Sequence, residues 1–425
     1  MLDIKYILDH LEEMSDIIKK RHVHADLDGL LVCYSERKEA LLTLESKRAE
    51  ANRLAKAIPS AAQTEKPALI EKGRALNQDI SQLEEALRQL DDAYQTALYT
   101  IPNTLAPDTP LGASDEENSV LRTHLEPRVF SFPPKDHLEL GKALDLLDFD
   151  SGAKVCGSKF YFLKNDAVLL ELALQLFALK VAKDFGYTQL ITPDMAKKSI
   201  LIGTGYSPRG EESNIYNVED MDLSLIATAE ITVGGIHSGE ILEEAQLPLK
   251  YVALSHCFRR EAGSAGRESK GLYRVHQFSK IELFQITTPE TGDAALEEIL
   301  ALEEAIYQKL ALPYRVVRIC AGDLGAPAYK KYDLEAWMPG RDSAEKYGEV
   351  TSASNCTDFQ SRRLNMRYRT ADNSKRFPYT LNGTAIALSR TMIAILENYQ
   401  EADGSISIPE VLRPYMGKDR ITIGG

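Results

Sequence analysis

The sequence predicts an α+β protein in which a two-helix coiled-coil arm precedes a larger body of strands and helices. Three patterns support this prediction: a heptad repeat of apolar residues over 69–97, a mixture of strand and helix patterns from about residue 120 onward, and a charged hairpin at 257–284. With 425 residues the chain is long enough for two or three domains. We expect a helical domain over 1–105, with the arm at about 30–100, and a second domain over 106–425.

The N-terminal segment and the composition exclude several classes of protein. Apolar residues at 4, 7, 8, 11, 14, 17 and 18 follow a helical period, so the segment is not expected to be a secretory signal. No run of ~18 apolar residues occurs, so no transmembrane helix is expected. The five cysteines lie far apart without a CxxC pair. This spacing favours reduced thiols in the cytoplasm and offers no compact zinc site.

The arm is predicted from two helical stretches on either side of a proline-containing turn. Residues 65–100 carry apolar side chains, with Tyr94 among them, at 69, 76, 80, 83, 87, 90, 94 and 97, which forms a heptad seam that only Gly73 weakens. Residues 33–58 have a looser apolar pattern. Pro59 and Pro67 bracket the turn, since proline interrupts helix interiors. We therefore expect two antiparallel helices packed against each other.

Charge divides unevenly between these two stretches, although the whole chain carries a net charge of −13. Residues 33–58 hold six basic and four acidic side chains, whereas 65–100 hold four basic and seven acidic ones. The first stretch is thus the better candidate for a phosphate backbone, where neutralised phosphates release counterions. Its candidate residues are Lys47, Arg48, Arg53 and Lys56. The open alternative is an ordinary solvated flank of a coiled coil.

Beyond a proline-rich linker at 101–117, the body begins with short strands and an apolar helix. We predict a strand at 160–163, a helix over 166–184, and a strand over 188–192 that ends at Pro193. By itself this pattern indicates no more than a core helix and strand.

The charged hairpin is the most informative part of the chain. We predict a strand that ends in Arg259, Arg260 and Glu261, a loop with Gly263, Gly266, Arg267 and Gly271, and a return strand with Arg274, Val275, Phe278 and Glu282. Such a hairpin gathers guanidinium groups for phosphate oxygens, an aromatic face for a base and a carboxylate for an amine. A surface hairpin with solvated charges is the alternative, and the dense charge beside apolar strand positions disfavours it.

Three shorter segments add candidate residues. Thr228 and Glu230 flank Ala229 on a segment predicted to be extended, which would place both side chains on one face. Glu349 and Ser352 offer a carboxylate and a hydroxyl, oxygen ligands that suit Mg²⁺. A polar edge strand is the alternative there. Residues 381–390 are predicted to form a glycine turn and then a helix, with Arg390 about two turns inside it.

The hairpin resembles motif 2 of class II aminoacyl-tRNA synthetases, in the form found in seryl-tRNA synthetases of bacterial type. The FRxE core of that family matches 258–261. Residues 166–193 resemble motif 1, which builds the family's dimer interface, and 381–390 resemble motif 3. The resemblance covers nearly the whole chain, including the arm. It implies a catalytic domain built on a mainly antiparallel β-sheet flanked by helices, and a homodimer.

The resemblance also assigns roles to individual residues. Arg259, Glu261 and Arg390 would be catalytic, and Glu349 with Ser352 would hold Mg²⁺. The serine contacts implied are Thr228, Ala229, Glu230, Glu282 and Thr384. The ATP contacts implied are Arg259, Arg260, Glu261, Arg274, Val275, Phe278, Glu349, Val350, Thr351, Ser352 and Arg390.

The activity implied is ATP-dependent conversion of L-serine to seryl-adenylate and transfer of the seryl group to tRNA(Ser), with tRNA(Sec) left open as a second acceptor. The chain departs from the family at Thr384, where a serine is usual, at Ala227, where a proline is usual, and at 205–212. Two alternatives stay open: an adenylate-forming relative that loads a carrier protein, although such relatives lack the arm, and a coiled-coil interaction protein with an inactive body.

Overall fold

The computed structural model describes residues 1–206, 214–262, 270–343 and 345–423. These residues form two compact units, one over Met1–Pro102 and one from Asn103 onward. In the described ranges, none of the helices combines the length and the apolar character that a membrane crossing would require.

The first unit consists of helices. They are α1 (Ile4–Asp9), α2 (Leu11–Lys20), α3 (Leu27–Ala57) and α4 (Lys66–Thr100). The ion pairs Arg37–Asp91 and Lys47–Asp79 join early α3 to late α4 and later α3 to earlier α4, so the two long helices run antiparallel. The heptad residues of α4 are buried or half-buried, whereas most other α4 residues are exposed. The predicted coiled-coil arm is therefore confirmed.

Within the described residues, the second unit is built on an eight-stranded sheet, accompanied by a three-stranded sheet, three two-stranded sheets and nine α-helices. Its helices are α5 (His137–Ala143), α6 (Phe149–Cys156), α7 (Asp166–Asp184), α8 (Lys198–Thr204), α9 (Ala229–Gly234), α10 (Gly292–Lys309), α11 (Phe359–Arg363), α12 (Leu388–Asn398) and α13 (Arg413–Met416). Its strands are β1 (Ser119–His124), β2 (Leu147–Asp148), β3 (Phe162–Leu163), β4 (Thr188–Ile191), β5 (Met195–Lys197), β6 (Leu223–Leu225), β7 (Ile241–Glu243), β8 (Leu249–Phe258), β9 (Gln277–Thr287), β10 (Tyr314–Arg318), β11 (Lys330–Trp337), β12 (Tyr347–Asn355), β13 (Arg367–Arg369), β14 (Lys375–Arg376), β15 (Tyr379–Ala387), β16 (Ile406–Ser407) and β17 (Arg420–Ile421).

The strand order of the main sheet is β1-β10-β11-β12-β15-β9-β8-β4. All neighbours are antiparallel except β4 and β8, which are parallel. Helices α7, α10 and α12 contribute to the main apolar core, with Leu174, Ile299 and Met392 fully buried. The predicted architecture, a mainly antiparallel sheet flanked by helices, is confirmed.

The charged hairpin is shorter in strand than predicted. β8 ends at Phe258, so the segment 259–261 lies beyond it, and Arg274 and Val275 precede the return strand, which begins at Gln277. Gly263, Gly266 and Arg267 lie outside the described residues. Arg259, Glu261, Arg274 and Val275 therefore lie on irregular backbone beyond the paired strands, whereas Phe278 and Glu282 lie on β9.

Two further predictions of local structure were wrong. Gly383 lies inside β15 instead of in a turn, and a Cβ atom there would stand 2.3 Å from Cγ2 of Ile299, so this glycine permits the close approach of α10. As a result α12 starts at Leu388, and Arg390 lies in its first turn. Residues 229–234 form helix α9 with Thr228 as its N-cap, so Glu230 is helical and not extended.

Candidate active site

A cavity of about 420 Å³ opens over strands β9, β12 and β15 of the second unit. It brings together most of the residues that the sequence singled out. The predicted residues that line it are Glu230, Arg259, Glu261, Arg274, Val275, Phe278, Glu282, Glu349, Val350, Ser352, Thr384 and Arg390. Residues from five separated segments of the chain thus meet at one place.

One part of the cavity combines an aromatic ring with a guanidinium group. The Cζ atom of Arg259 lies 5.2 Å from the ring centroid of Phe278, a distance at which a cation is attracted to the ring face. Nε of Arg259 donates to the carbonyl oxygen of Ala227 at 3.3 Å. This bond holds the guanidinium group next to the ring in the wall of the cavity. This part of the cavity suits a planar base next to a phosphate.

Arg390 is held by two segments of the chain at once. Its Nε donates to the carbonyl oxygen of Tyr273 at 3.2 Å, and its Nη1 donates to the carbonyl oxygen of Glu349 at 3.0 Å. Nη1 also lies 3.2 Å from Oε1 of Glu349, and Cζ lies 4.6 Å from the centroid of the Tyr273 ring. An arginine with so many contacts keeps its position before any ligand arrives.

The carboxyl group of Glu349 is strongly acidic. Burial by itself would raise its pKa, but the charges of Arg390, Lys331 and Arg259 outweigh burial and lower the pKa to about 2. Glu349 is therefore ionised throughout the neutral range. An ionised carboxylate in this position is suited to bind a hard cation such as Mg²⁺.

A bulge in β12 explains how Glu349 and Ser352 face the same cavity although they are three residues apart. In a regular strand, residues three apart point to opposite faces. Here the pairing with β11 shifts: Thr351 pairs with Leu334 but Glu349 pairs with Glu335. One extra residue in β12 reverses the alternation. The segment also lies inside the sheet, so the predicted alternative of an edge strand is wrong.

A second part of the cavity is built around two buried carboxylates. Glu282 on β9 lies opposite Thr384 on β15 and forms an ion pair with Lys280, two residues earlier on the same face. Nζ of Lys280 also lies 3.3 Å from the hydroxyl of Thr384. Burial raises the pKa of Glu282, while Lys280 opposes this shift. These groups offer both donors and acceptors to a small polar ligand.

Glu230 is the other carboxylate and has its own set of donors. Oε1 accepts hydrogen bonds from Nε2 of Gln360 at 2.7 Å and from Nδ2 of Asn382 at 2.8 Å, and Oε2 accepts one from the hydroxyl of Tyr206 at 2.9 Å. Burial and the nearby charge of Glu282 raise the pKa of Glu230 to about 7. With a pKa of about 7, Glu230 is only partly ionised at neutral pH. A cationic ligand beside it would lower this pKa and favour the charged carboxylate.

Four predicted contacts lie away from the cavity. Ala229 is buried in an apolar cluster, and Arg260 is exposed. The hydroxyl of Thr351 donates to Oε2 of Glu303 on α10 at 2.7 Å, on the other side of the sheet. Thr228 is buried, accepts from the backbone of Glu230 at 3.2 Å and hydrogen-bonds Glu282. Thr228 therefore supports the site, whereas side-chain contacts by the other three with a ligand are not supported.

Several residues that line or support the cavity were missed from the sequence. They are Tyr206, Tyr273, Lys280, Lys331, Gln360, Asn382 and the segment 325–328. Lys280 was accessible to prediction, because it precedes Glu282 by two positions on a predicted strand. Gln360 carries no local signal, and Asn382 lies in the segment 381–390 without being singled out there. The roles of both residues depend on contacts with Glu230, which is 130 and 152 residues away in sequence.

The arm carries the other predicted contacts, within the first unit. Nζ of Lys47 lies 2.8 Å from Asp79 and Nη2 of Arg48 lies 2.7 Å from Glu84, so both cations pair with α4. Arg53 and Lys56 are exposed. Surface pairs of this kind are weak and yield to a stronger anion.

Two family models match the chain. The model of the seryl-tRNA synthetase N-terminal domain matches residues 1–105. The model of the tRNA synthetase class II core domain (G, H, P, S and T) matches residues 216–399, which include the hairpin and the cavity's strands β9, β12 and β15.

Curated relatives and solved structures agree with these matches. A serine–tRNA ligase of Treponema denticola is 52% identical and covers 99% of this chain and 100% of its own length, and one of Rubrobacter xylanophilus is 52% identical over 99% of both chains. The crystal structure of seryl-tRNA synthetase from Pyrococcus horikoshii complexed with ATP superposes with a TM-score of 0.89 at 40% identity over all of both chains. The cytoplasmic serine–tRNA ligase of Naegleria fowleri in complex with AMP has a TM-score of 0.82 at 32% identity, over 97% of this chain and 96% of that one. The similarity thus spans the arm and the cavity together.

Proposed function

The chain belongs to the seryl-tRNA synthetase family, and from this membership we propose that it converts L-serine and ATP to seryl-adenylate and transfers the seryl group to the 3′ end of tRNA(Ser). It is a class II aminoacyl-tRNA ligase. One observation supports the proposal most strongly: two subsites lie next to each other in one cavity. The base-and-phosphate subsite surrounds Arg259, Phe278 and Arg390, and the carboxylate subsite surrounds Glu230 and Glu282.

ATP binds in the first subsite. Phe278 supports the adenine ring, with Glu261 and the backbone of Val275 beside it, and Arg259 reaches the α-phosphate. Glu261 is held by Nη1 of Arg274 at 2.7 Å, which fixes both side chains at the mouth of the hairpin. Arg390 forms the other wall of the ATP subsite, where it hydrogen-bonds the backbone of Tyr273 and of Glu349. The contacts between these side chains exist without ligand, so little reorganisation is needed on binding.

The donor set at β12 fits Mg²⁺. Glu349 supplies an ionised carboxylate and Ser352 a hydroxyl, both on the cavity face, and ATP phosphates supply further oxygens. When bound, Mg²⁺ neutralises phosphate charge and eases the departure of pyrophosphate.

Serine binds in the carboxylate subsite. Its ammonium group meets Glu230, and its hydroxyl lies among Glu282, Lys280 and Thr384. The serine carboxylate is itself the nucleophile and attacks the α-phosphorus in line, so the protein needs no side-chain nucleophile. Arg259 stabilises the charge that builds up on the phosphoryl oxygens.

The polar lining of this subsite accounts for selection of serine. Alanine and glycine would leave Lys280 and Thr384 without the hydroxyl partner, and sites of this type reject such analogues by factors of up to ~10⁴ or more. Threonine carries the same hydroxyl as serine and must be excluded by its larger side chain. The methyl group of Thr384, which the serine usual at this position lacks, reduces the space for that side chain.

The arm contributes the tRNA contacts. Arg53 and Lys56 are exposed on α3, and Lys47 and Arg48 can exchange their partners on α4 for phosphates. As a second acceptor we propose tRNA(Sec), which would receive the seryl group by the same reaction. The same assay can test it. A cytoplasmic location stays a prediction from the sequence.

The homodimer is supported by an apolar face on the second unit. Leu172 and Leu176 of α7 are 50% and 57% exposed, and Ile191 of β4 is 83% exposed. Exposed leucines and isoleucines at helical and strand spacing mark an interaction surface. This face belongs to the segment that resembles motif 1, and a second copy of the chain is the occupant that we propose.

Transfer of labelled serine to tRNA tests the function directly. Incubation with ATP, Mg²⁺ and bulk tRNA is expected to give acid-precipitable label that depends on all three. Serine-dependent pyrophosphate exchange without any charging of tRNA would favour a carrier-loading relative instead, and the absence of both activities would favour an inactive interaction protein.

A further inference from the structure

Tyr206 follows α8 directly and has a well-defined backbone position. Gly205 ends the helix with φ +101, its N–H donates to the carbonyl of Ile202 at 3.1 Å, and the N–H of Tyr206 donates to the carbonyl of Leu201 at 2.9 Å. A Cβ atom at position 205 would lie 2.7 Å from Cγ of Pro327. Glycine is therefore required, and the helix end fixes where the next side chain begins.

The ring of Tyr206 is held by apolar neighbours. It packs against a buried cluster that includes Leu201, Ile226 and Ile231. With the ring held and only two side-chain torsions to fix, the hydroxyl has a restricted position. That position is 2.9 Å from Oε2 of Glu230, on the wall of the cavity.

The two oxygens of Glu230 have different surroundings. Oε1 accepts two hydrogen bonds, from Gln360 and Asn382, at 2.7 and 2.8 Å. Oε2 accepts one, from Tyr206, within the part of the chain that the structure describes. Since a carboxylate can accept about four hydrogen bonds, Oε2 keeps capacity for a ligand in the cavity.

We propose that Tyr206 is a positioning residue for the amino-acid substrate: its hydroxyl holds the carboxylate of Glu230 so that Oε2 meets the substrate ammonium group. This inference rests on the proposed activation of serine and adds a residue to it. Tyr206 acts through Glu230 and makes no contact with the reacting atoms. Gln360 and Asn382 hold the other oxygen, so the three donors together determine the direction of the carboxylate.

The electrostatics of the subsite give this contact a measurable consequence. Burial and the charge of Glu282 raise the pKa of Glu230, while hydrogen bonds from Gln360 and Tyr206 and the charge of Lys280 lower it. Burial, Glu230 and Glu282 raise the pKa of Tyr206 itself and Arg259 lowers it, and the net shift is upward, so the hydroxyl stays protonated and continues to donate. Loss of the hydroxyl removes one of the groups that favour ionised Glu230. The pKa of Glu230 then rises above about 7, and less of it is charged at neutral pH.

The test is Tyr206→Phe, with serine-dependent pyrophosphate exchange measured from pH 6.5 to 8.5. The quantity of interest is the ratio of the KM for serine in the variant to that in the wild type, because the titration of serine itself cancels in this ratio. We expect a ratio on the order of 10 at pH 7, equivalent to ~1.4 kcal/mol. The ratio should fall to ~3 or less at pH 8.5, where Glu230 is ionised again. We expect kcat to change by less than ~2-fold.

Two further variants separate positioning from simple packing. Tyr399→Phe removes a hydroxyl that donates to the carbonyl of Leu310 at 2.7 Å, away from the residues that line the cavity, and should give a ratio near 1 at every pH. In a Glu230→Gln background the group that titrates is gone. There, Tyr206→Phe should add no pH-dependent change.

The outcomes distinguish this inference from the function on which it rests. A wild-type protein without serine-dependent exchange would overturn the proposed function and the inference together. An active wild type with a ratio near 1 for Tyr206→Phe would overturn the inference alone. So would a raised ratio that stays constant with pH, or one that persists with the same pH dependence in the Glu230→Gln background.

Discussion

Arg259 and Arg260 are adjacent in the chain but have different surroundings. Arg259 lies over the ring of Phe278 and lines the cavity, whereas Arg260 is exposed and lies outside it. The resemblance assigned both residues to ATP. The structure therefore supplies a matched pair of arginines for testing which of them stabilises the phosphoryl group.

We predict that Arg259→Ala lowers serine-dependent pyrophosphate exchange by at least ~10²-fold, the effect of losing one donor to the transition state. The loss should appear mainly in kcat. Arg260→Ala is the control and should keep exchange within ~3-fold of the wild type. Near-normal exchange by Arg259→Ala, or an equal loss in both variants, would remove Arg259 from its assigned role.

At the residue scale the sequence predicted charge and chemistry better than contacts. Arg259, Phe278, Glu282 and Arg390 all line the cavity as expected. The side chain of Thr351 could not be placed correctly, because the bulge that turns it toward α10 depends on pairing with β11. The sequence also did not predict residues that position other site residues, such as Gln360. No local pattern identifies a hydrogen-bond partner that lies far away in the chain.

The arm is the element with the clearest separate role. Its two helices belong to the first unit, Met1–Pro102, and pack against each other through their own ion pairs and seam, so shortening them should leave the cavity of the second unit intact. The pair Arg37–Asp91 marks two facing positions from which a shorter connection can be made.

We predict that replacing residues 38–90 by a short glycine-serine turn preserves serine-dependent exchange within ~3-fold and lowers tRNA charging by at least ~10²-fold. The reason is that phosphate contacts dominate affinity for nucleic acid. Both activities are measured on the same preparation. Arg53→Ala/Lys56→Ala in the full chain should weaken tRNA binding and reduce its salt dependence, without affecting exchange.

Joint loss of exchange and charging in the shortened protein would contradict this separation of roles. An unchanged affinity for tRNA with an unchanged salt dependence in the double variant would remove Arg53 and Lys56 from the proposed tRNA surface.

Element boundaries show where sequence patterns stop being informative. The heptad spacing predicted α3 and α4 well, because a long seam must follow the helical period. The start of α12 was misplaced because Gly383 suggested a turn, whereas it is in fact needed where α10 packs closely on β15. A glycine required by packing and a glycine required by a turn look the same in sequence.

The whole molecule is expected to function as a pair of copies. The apolar face on α7 and β4 is predicted to be buried between them, as the commonest closed symmetry allows. We predict that Leu176→Glu converts a dimer into a monomer, measured by light scattering during gel filtration at micromolar concentration. The carboxylate introduced by this substitution would be buried in an apolar interface, where neither copy offers it an opposite charge.

Val129→Glu provides the control, because Val129 is 94% exposed and lies on a different segment. It should leave the mass of the dimer unchanged. A dimeric Leu176→Glu protein, or a monomeric wild type, would contradict the proposed interface.

The measurement that tests the central claim most directly is the transfer of labelled serine to bulk tRNA in the presence of ATP and Mg²⁺, beside the same reaction without tRNA. We predict charging that saturates with tRNA and is absent for alanine and glycine. Formation of seryl-adenylate without label on tRNA, or equal charging with alanine, would contradict the account.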